Sequence, residues 1–324
     1  MSLGAPSVAT EAAETGHPAR DGAIAFVIMT GLFILAPLVV YPFFMMQALC
    51  FALFACAFNL LIGYVGLLSF GHAMFLGTAG YLSAHAARVW GLTPEFCILF
   101  GVAGSAALGL VTGVLAIRRQ GIYFAMITLA LSQMIYFFCI EAPFTHGEDG
   151  IQGVPQGTFL GFISLSNPWA LYYTVLAIFL FGFFVIYRMI NSPFGEVLKA
   201  IRENEPRAIS LGYRVDHYKL AAFILSAALC GLAGGTKAIV AQNASLTDVH
   251  YSMSGEVVLM TLLGGMGTIY GPVVGAVILV AMQNYLAQYG QWVTVIQGAI
   301  FVICVLLFRR GIVGEIAHYF RLSL

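Results

Sequence analysis

The amino-acid sequence predicts an all-α protein: a polytopic transmembrane helical bundle of about ten spans (eight to ten). The chain of 324 residues is 60% hydrophobic and only 9% charged, with a mean hydropathy of +0.93. An average globular chain is about 25% charged, so this chain cannot cover a water-facing surface with ions. Uncharged apolar runs of about 20 residues, the length that crosses about 30 Å of hydrocarbon, also follow one another along nearly the whole sequence.

The apolar runs give the position of each span. The predicted spans lie at 23–41, 43–62, 67–87, 96–117, 122–140, 169–187, 220–241, 255–266, 271–287 and 292–308. The eighth is short, and only Tyr41-Pro42 separates the first two. The chain is thus divided into a polar tail at 1–21, a transmembrane domain at 22–309 with a polar loop at 188–219, and a second tail at 310–324.

The distribution of charge predicts the direction of the spans. With a cytoplasmic N-terminus and ten spans, 12 of the 14 basic residues fall on one side of the membrane, the exceptions being Arg88 and Lys237. Cytoplasmic loops carry such an excess of lysine and arginine, so both termini are predicted to be cytoplasmic. The external loop 141–168 has three acids and no lysine or arginine. Lys237 is expected to extend its ammonium group outward past the end of its span.

Composition excludes several classes of function. The formal net charge is zero, with 14 Lys+Arg against 14 Asp+Glu, which argues against nucleic acid as a partner. The six cysteines lie in or beside apolar runs and form no CxxC pair, so neither a metal site nor a disulfide framework is indicated. No GxxxxGK[ST] motif occurs, so the chain has no P-loop for ATP.

The loop 188–219 contains a predicted amphipathic helix. Ser192-Pro193 precede it, and an apolar and a charged face follow with helical spacing. The apolar face consists of Phe194, Val197, Leu198 and Ile201, and the charged face of Glu196, Lys199, Arg202 and Glu203. Two interpretations are open: a helix lying on lipid headgroups, or a docking element that fits a groove on a cytosolic partner.

One run of the sequence resembles the cytoplasmic loop of ABC importer permeases for branched-chain amino acids, in the longer of their two homologous permease types. The run extends from Phe194 through Arg202-Glu203-Asn204-Glu205, Ala208 and Leu211-Gly212 to 219–227. Glu205, Ala208 and Gly212 approximate the Glu-Ala-Ala…Gly pattern of that loop, with Pro206 where an alanine is more usual. The resemblance extends, in order, to 63–84, to Gly150-Ile151 and to 254–276.

The resemblance implies a non-catalytic subunit of an ATP-driven importer in the bacterial inner membrane. Its partners would be the lipid bilayer, a homologous second permease, two cytosolic ATPase subunits that bind the ATP, and a periplasmic binding protein that delivers leucine, isoleucine or valine; the chain itself would hold no cofactor. Urea, amides or another small organic solute are the alternative cargo. The resemblance implies ATPase coupling through Phe194, Glu196, Lys199, Arg202, Glu203, Glu205, Ala208 and Gly212.

Two other transport classes are weaker alternatives. An ion-coupled secondary transporter commonly places Asp, Glu or His near the bilayer midplane, and here only His72 comes close. A channel or a scaffold would need no partner ATPase.

His72 lies in the glycine-rich third span. On a helix, a narrow sector of small residues forms a seam that another span can approach closely: Ser69, Ala73, Gly77, Gly80, Ala84 and Ala87. His72 lies at the edge of this seam and is expected to point at a neighbouring span. A neutral histidine hydrogen-bonded across that contact is the preferred interpretation, with pathway-lining and proton-coupling roles as alternatives.

The last candidates lie in and after the eighth span. Glu256 is expected either to cap the N-terminus of its own helix or to line the outer vestibule and meet the ammonium group of an amino acid. The segment 262–272 predicts a tight turn between two packed spans or, alternatively, a discontinuous helix bordering the pathway. The candidate pathway or interhelical residues are Asn59, Ser69, His72, Glu256, Gly264, Gly265 and Gly267.

Overall fold

A computed structural model of the chain describes residues 18–159, 161, 163–307 and 311–320, which are mainly helical. The α-helices are α1 (Pro18–Leu35), α2 (Pro42–Asn59), α3 (His72–Arg88), α4 (Pro94–Ala116), α5 (Ile122–Glu141), α6 (Pro168–Ile190), α7 (Pro193–Glu203), α8 (Glu205–Ser210), α9 (Val215–Ala241), α10 (Tyr251–Gly264), α11 (Gly271–Leu286), α12 (Val293–Leu307) and α13 (Gly311–Phe320).

Shorter elements connect the helices. A π-helical segment, Leu60–Val65, continues α2, and 3₁₀ turns lie at Ala36–Leu38, Pro143–Thr145, Gly147–Asp149, Leu246–Asp248 and Ala287–Trp292. The strands are β1 (Ile151–Gln152), β2 (Thr158–Phe159), β3 (Ile163–Ser164) and β4 (Asn243–Ala244). β1 pairs with β4 and β2 with β3, both antiparallel.

Each of the ten predicted spans coincides with a helix, which confirms the all-α prediction. Among the described residues, five helical segments are long and apolar enough to cross a membrane: Pro42–Val65, Pro94–Ala116, Ile122–Glu141, Pro168–Ile190 and Val215–Ala241. The third span differs most, because its helix begins at His72 and not at residue 67. Proline at the first helical position, where no backbone N–H is needed, starts several of these helices.

α2 lies at the centre of the bundle. Nearly all of its side chains are buried, including Phe54 and Phe58, and it packs against α6, α9, α10 and α11. α3, α4 and α9 all pack against one another. α4 and α5 bury only one side each and expose large apolar residues on the other, as helices facing lipid do.

The bundle has two distinct ends. At the α7 end, α7 packs beside the π-helical segment, and the turn 265–270 between α10 and α11 lies there too. At the loop end, Ile151 of β1 pairs with Ala244 of β4. The predicted cytoplasmic location of the termini stays a prediction, because residues 1–17 and the basic residues Arg309, Arg310 and Arg321 lie outside the described residues. α13 occupies most of the predicted second tail.

Candidate functional site

The predicted amphipathic helix is α7, and its sequence explains its position. Ser192 caps its N-terminus by accepting a hydrogen bond from the Gly195 N–H at 3.4 Å. Leu198 and Ile201 face inward and are fully or almost fully buried, as the apolar face predicted. The ring of Phe194 stacks on Tyr218 of α9 with centroids 5.6 Å apart. α7 is therefore packed onto the bundle through its apolar face.

The coupling segment consists of two helices, the predicted amphipathic helix and a second helix after it. α7 ends at Glu203, and Asn204 is extended before α8 begins at Glu205. Pro206 explains the break, because its ring clashes with the carbonyl four residues earlier and it offers no N–H to continue the helix. Asn204 then caps α8 by accepting a hydrogen bond from the Arg207 N–H at 3.1 Å.

α8 is held to the bundle by an ion pair that the sequence analysis did not find. Glu205 Oε1 lies 2.7 Å from Lys219 Nζ of α9, and the Lys219 side chain is only 3% exposed. Ala208, the small residue of the expected pattern, is buried against Val215 in the same cluster. Gly212 follows α8 with φ +89°, a left-handed conformation that favours glycine.

Other residues of the coupling segment point away from the bundle. Glu196 and Lys199 pair with each other at 2.8 Å on the exposed face of α7, and Glu203 is exposed. Beyond them, α8 and the following turn expose two large apolar side chains, Ile209 and Leu211. This outward surface combines charge with exposed apolar area, which suits a protein partner.

Arg202 is exposed on the charged face of α7, as predicted, and it also connects α7 to the transmembrane helices. Its guanidinium donates a hydrogen bond to the backbone oxygen of Gly63 in the π-helical segment. Asn59 lies one turn earlier on α2; its amide accepts from the Gly267 N–H at 3.0 Å and donates to the Thr268 oxygen at 2.8 Å. We call Asn59, Gly63, Arg202, Gly267 and Thr268 the joint.

The segment 262–272 is a tight turn, as preferred from the sequence. α10 and α11 fold back on each other as a hairpin, and an added side chain at Gly264 would overlap the backbone of Gly271. Gly265 lies against Gly311 at the start of α13. The alternative of one discontinuous helix is wrong. Asn59 satisfies the backbone groups that the turn frees, which is the condition for non-helical backbone inside a membrane protein.

His72 makes the hydrogen bond to a neighbouring helix that the sequence predicted. Its Nε2 lies 3.0 Å from Ser226 Oγ of α9. Ser226 in turn donates to the Ala57 oxygen of α2 at 2.6 Å, so Nε2 carries the hydrogen that the Ser226 oxygen accepts. The imidazole is fully buried, and its ring centroid lies 4.9 Å from that of Phe58, with the two rings nearly perpendicular. A role of His72 in transport stays a prediction.

Ser69 does not belong to the helical seam that was expected. α3 begins at His72, so Ser69 precedes it and accepts a hydrogen bond from the Gly71 N–H at 3.2 Å. Glycine at 71 and the left-handed Gly66 interrupt the helix before this point. The rest of the seam does allow another span to approach closely, because Gly80 faces Gly234 and Ala238 of α9.

Glu256 is not the cap of its helix. α10 begins at Tyr251 with His250 as its cap, so Glu256 lies more than a turn inside and accepts a hydrogen bond from Gln283 Nε2 of α11 at 2.9 Å. Lys237 does not extend outward as expected either. It forms an ion pair with Asp248, and both side chains are nearly buried. We call Lys237, Asp248, Glu256 and Gln283 the charged cluster; it lies at the loop end.

The fold and the joint define a multi-pass membrane protein whose polar helices at one end are fastened to its spans. The family model described as branched-chain amino acid transport system / permease component matches residues 41–306. The chain belongs to this family of ABC transporter permeases.

Known relatives agree with this assignment. The chain is 26% identical to the high-affinity branched-chain amino acid transport system permease protein LivM of Salmonella typhimurium and 25% identical to that of Escherichia coli, in both cases over 91% of this chain and 77% of the relative. It is 28% identical to the ribose import permease protein RbsC of Bacillus subtilis, over 76% of this chain and 81% of that protein. No solved structure gives a significant match.

Proposed function

We propose that this chain translocates branched-chain amino acids across the bacterial inner membrane as the permease subunit of an ATP-driven importer. The observation that carries the proposal is the joint: α7 presents charged residues outward, and Arg202 fastens it to the π-helical end of α2. A movement of α7 is therefore transmitted directly to the transmembrane helices. π-Helical turns often occur at functional sites, which agrees with this role.

The proposal implies three kinds of protein partner. Two cytosolic ATPase subunits bind the outward surface of α7 and α8, through Glu196, Lys199, Glu203 and the exposed apolar residues Ile209 and Leu211. A homologous second permease completes the pathway, and a periplasmic binding protein delivers the solute. The ATP is bound and hydrolysed by the partner subunits, so this chain is not an enzyme and holds no cofactor.

The α10–α11 hairpin is the moving element of this mechanism. Asn59 ties its turn to α2, and Arg202 ties the same end of α2 to α7. When ATP draws the ATPases together, α7 carries the end of α2 and the hairpin turn with it as one body. The spans then alternate between outward-facing and inward-facing arrangements.

The names of relatives support the cargo. The two LivM proteins are transport proteins for branched-chain amino acids, and they match more of this chain than the ribose permease does. Leucine, isoleucine and valine are therefore the proposed solutes. Urea, amides or another small organic solute are the alternative, and the ribose permease shows that proteins similar to this chain carry other cargo.

Two measurements test the class and the cargo. In proteoliposomes of the assembled complex, uptake is expected to survive collapse of proton and sodium gradients and to stop when ATP is depleted; the reverse result would indicate a secondary transporter. Calorimetry of the cognate binding protein is expected to show binding of leucine, isoleucine and valine. Binding of urea or ribose alone would replace the proposed cargo.

Site-directed cross-linking tests the ATPase contact. A cysteine at Lys199, on the exposed face of α7, is expected to cross-link to an ATPase subunit in the assembled complex. A cysteine at Glu148, which is exposed at the loop end, serves as the matched control and is expected to give no such product. Cross-linking from Glu148 but not from Lys199 would contradict the proposed arrangement.

A further inference from the structure

An ion pair and a further carboxyl group lie at the loop end of the bundle. Lys237 projects from α9 and pairs with Asp248 of the 3₁₀ turn, with side chains only 14% and 11% exposed. The ammonium group of Lys237 also lies 5.1 Å from the ring centroid of Phe51 on α2. Charged groups inside a membrane protein are costly and commonly mark the path of a substrate or ion.

The charged cluster contains two carboxyl groups but only one cationic side chain. Lys237 and Asp248 neutralise each other, whereas Glu256 is bound only by the uncharged amide of Gln283 at 2.9 Å. Glu256 lies on α10, which packs against the 3₁₀ turn that carries Asp248. Within the described part of the chain no cation forms an ion pair with Glu256, so its carboxyl group can accept hydrogen bonds from a ligand ammonium group.

Tyr81 supplies a further polar group beside the cluster. The side chain is 1% exposed, its hydroxyl has no hydrogen-bond partner among the described residues, and its helix α3 packs against the 3₁₀ turn that carries Asp248. A buried hydroxyl without a partner is unfavourable. A ligand group that accepted its hydrogen would remove this cost.

We propose that the charged cluster binds the ammonium and carboxylate groups of a zwitterionic amino acid as it enters the pathway. The ammonium group of the amino acid binds Glu256 and Asp248, and its carboxylate binds Lys237 and the Tyr81 hydroxyl. The inference rests on the proposed function and assigns residues in this chain to recognition of the solute.

The Lys237–Asp248 ion pair is the closed form of this site. When the solute arrives, its two charges replace the partners that Lys237 and Asp248 offer each other, so neither buried charge is left unpaired at any stage. Breaking a buried ion pair without replacement is strongly unfavourable, which disfavours solutes that lack one of the two charges. A neutral sugar offers no ammonium group to Glu256.

The test compares Glu256 variants in the assembled complex, measuring leucine uptake at saturating concentrations of loaded binding protein. Glu256→Gln is expected to lower the uptake rate at least about tenfold, because the amide cannot neutralise an ammonium group. The exchange variant Glu256→Gln with Gln283→Glu keeps a hydrogen bond between α10 and α11 but moves the carboxylate. It is expected to remain below half of the wild-type rate.

Thr261→Val is the matched control, because Thr261 is buried on the same helix and its hydroxyl donates a hydrogen bond to the backbone oxygen of Val257 in that helix. It is expected to transport at the wild-type rate. Restoration of full uptake by the exchange variant would show that the Glu256–Gln283 hydrogen bond is merely structural and would overturn the inference. A normal rate for Glu256→Gln would overturn it as well.

A second readout detects the solute directly. Saturation-transfer NMR of the ATP-bound complex without binding protein compares leucine with 4-methylpentanoate, which has the same side chain and carboxylate but no ammonium group. We expect a leucine signal with the wild-type complex that is lost in Glu256→Gln. The 4-methylpentanoate signal is expected to be weaker and the same in both proteins. Equal signals for the two solutes with the wild-type complex would overturn the inference. Wild-type complex that imports only uncharged solutes would instead refute the proposed cargo, and this inference with it.

Discussion

Arg202, on a helix outside the transmembrane bundle, donates a hydrogen bond to the backbone oxygen of Gly63 inside it. The two residues are 139 positions apart in sequence. Gly63 belongs to the π-helical end of the most buried helix, α2, so Arg202 fastens α7 to the centre of the protein. Its neighbour Gly267 brings the α10–α11 turn to the same place.

Arg202→Ala is expected to uncouple ATP hydrolysis from transport. Loss of the guanidinium leaves α7 packed through Leu198 and Ile201 but removes its link to α2, so leucine uptake by the reconstituted complex should fall at least about tenfold. The number of ATP molecules hydrolysed per leucine should rise. Arg188→Ala, at an exposed arginine of the same end of the bundle, is the control; equal losses in both variants would show a general effect of charge.

Asn59→Ala is expected to destabilise the α10–α11 turn. The substitution leaves the N–H of Gly267 and the oxygen of Thr268 without their partner, and an unsatisfied buried group costs about 1–3 kcal/mol. We expect a loss of about 2 kcal/mol in the free energy of unfolding, measured by thermal denaturation of the purified complex. Asn191→Ala, which removes an exposed amide from the end of α6, should leave the transition unchanged. An unaltered transition in Asn59→Ala would contradict the bonding of the joint.

The positions of the helices could be predicted from the sequence because they depend on local patterns. Hydropathy places each span, and proline marks the first residue of α2, α4 and α6. The boundary between α7 and α8 has a local signal as well, Pro206 after the cap residue Asn204. The start of α3 was misplaced, since Gly66 and Gly71 end the helical pattern that hydropathy alone continues through Ser69.

The joint and the charged cluster could not be predicted in the same way. Asn59 bonds to residues more than 200 positions away, and no local pattern indicates which polar residue meets which turn. Lys237 was expected to reach outward, but Asp248 pairs with it inside the protein because the 3₁₀ turn folds over the end of α9. Such contacts follow from the packing of helices, which one sequence does not reveal.

Lys219→Met is expected to release α8 from the bundle. The substitution keeps the length of the side chain but leaves the carboxylate of Glu205 without its cation. Breaking a fully buried pair costs about 3–5 kcal/mol; because Glu205 retains 21% exposure, we expect about 2 kcal/mol, seen as faster proteolysis at α8 and weaker co-purification of the ATPase subunits.

The double variant Glu205→Gln with Lys219→Met tests the cause of this loss. It leaves neither charge unpaired, so it should recover most of the co-purified ATPase. If the double variant loses as much as Lys219→Met alone, packing of the lysine stem holds α8 in place and the ion pair does not.

His72→Gln is expected to preserve uptake within about twofold, whereas His72→Leu should lower it by about tenfold or more. Glutamine can still donate an N–H to the Ser226 oxygen, but leucine leaves that buried oxygen with one partner fewer. Ser226→Ala should behave like His72→Leu, because it removes both the acceptor for His72 and the donor to Ala57. Uptake measured from pH 6 to 8 should show the same profile in wild type and His72→Gln. Complete loss of transport in His72→Gln, with normal assembly, would show instead that the imidazole itself carries out a step of transport.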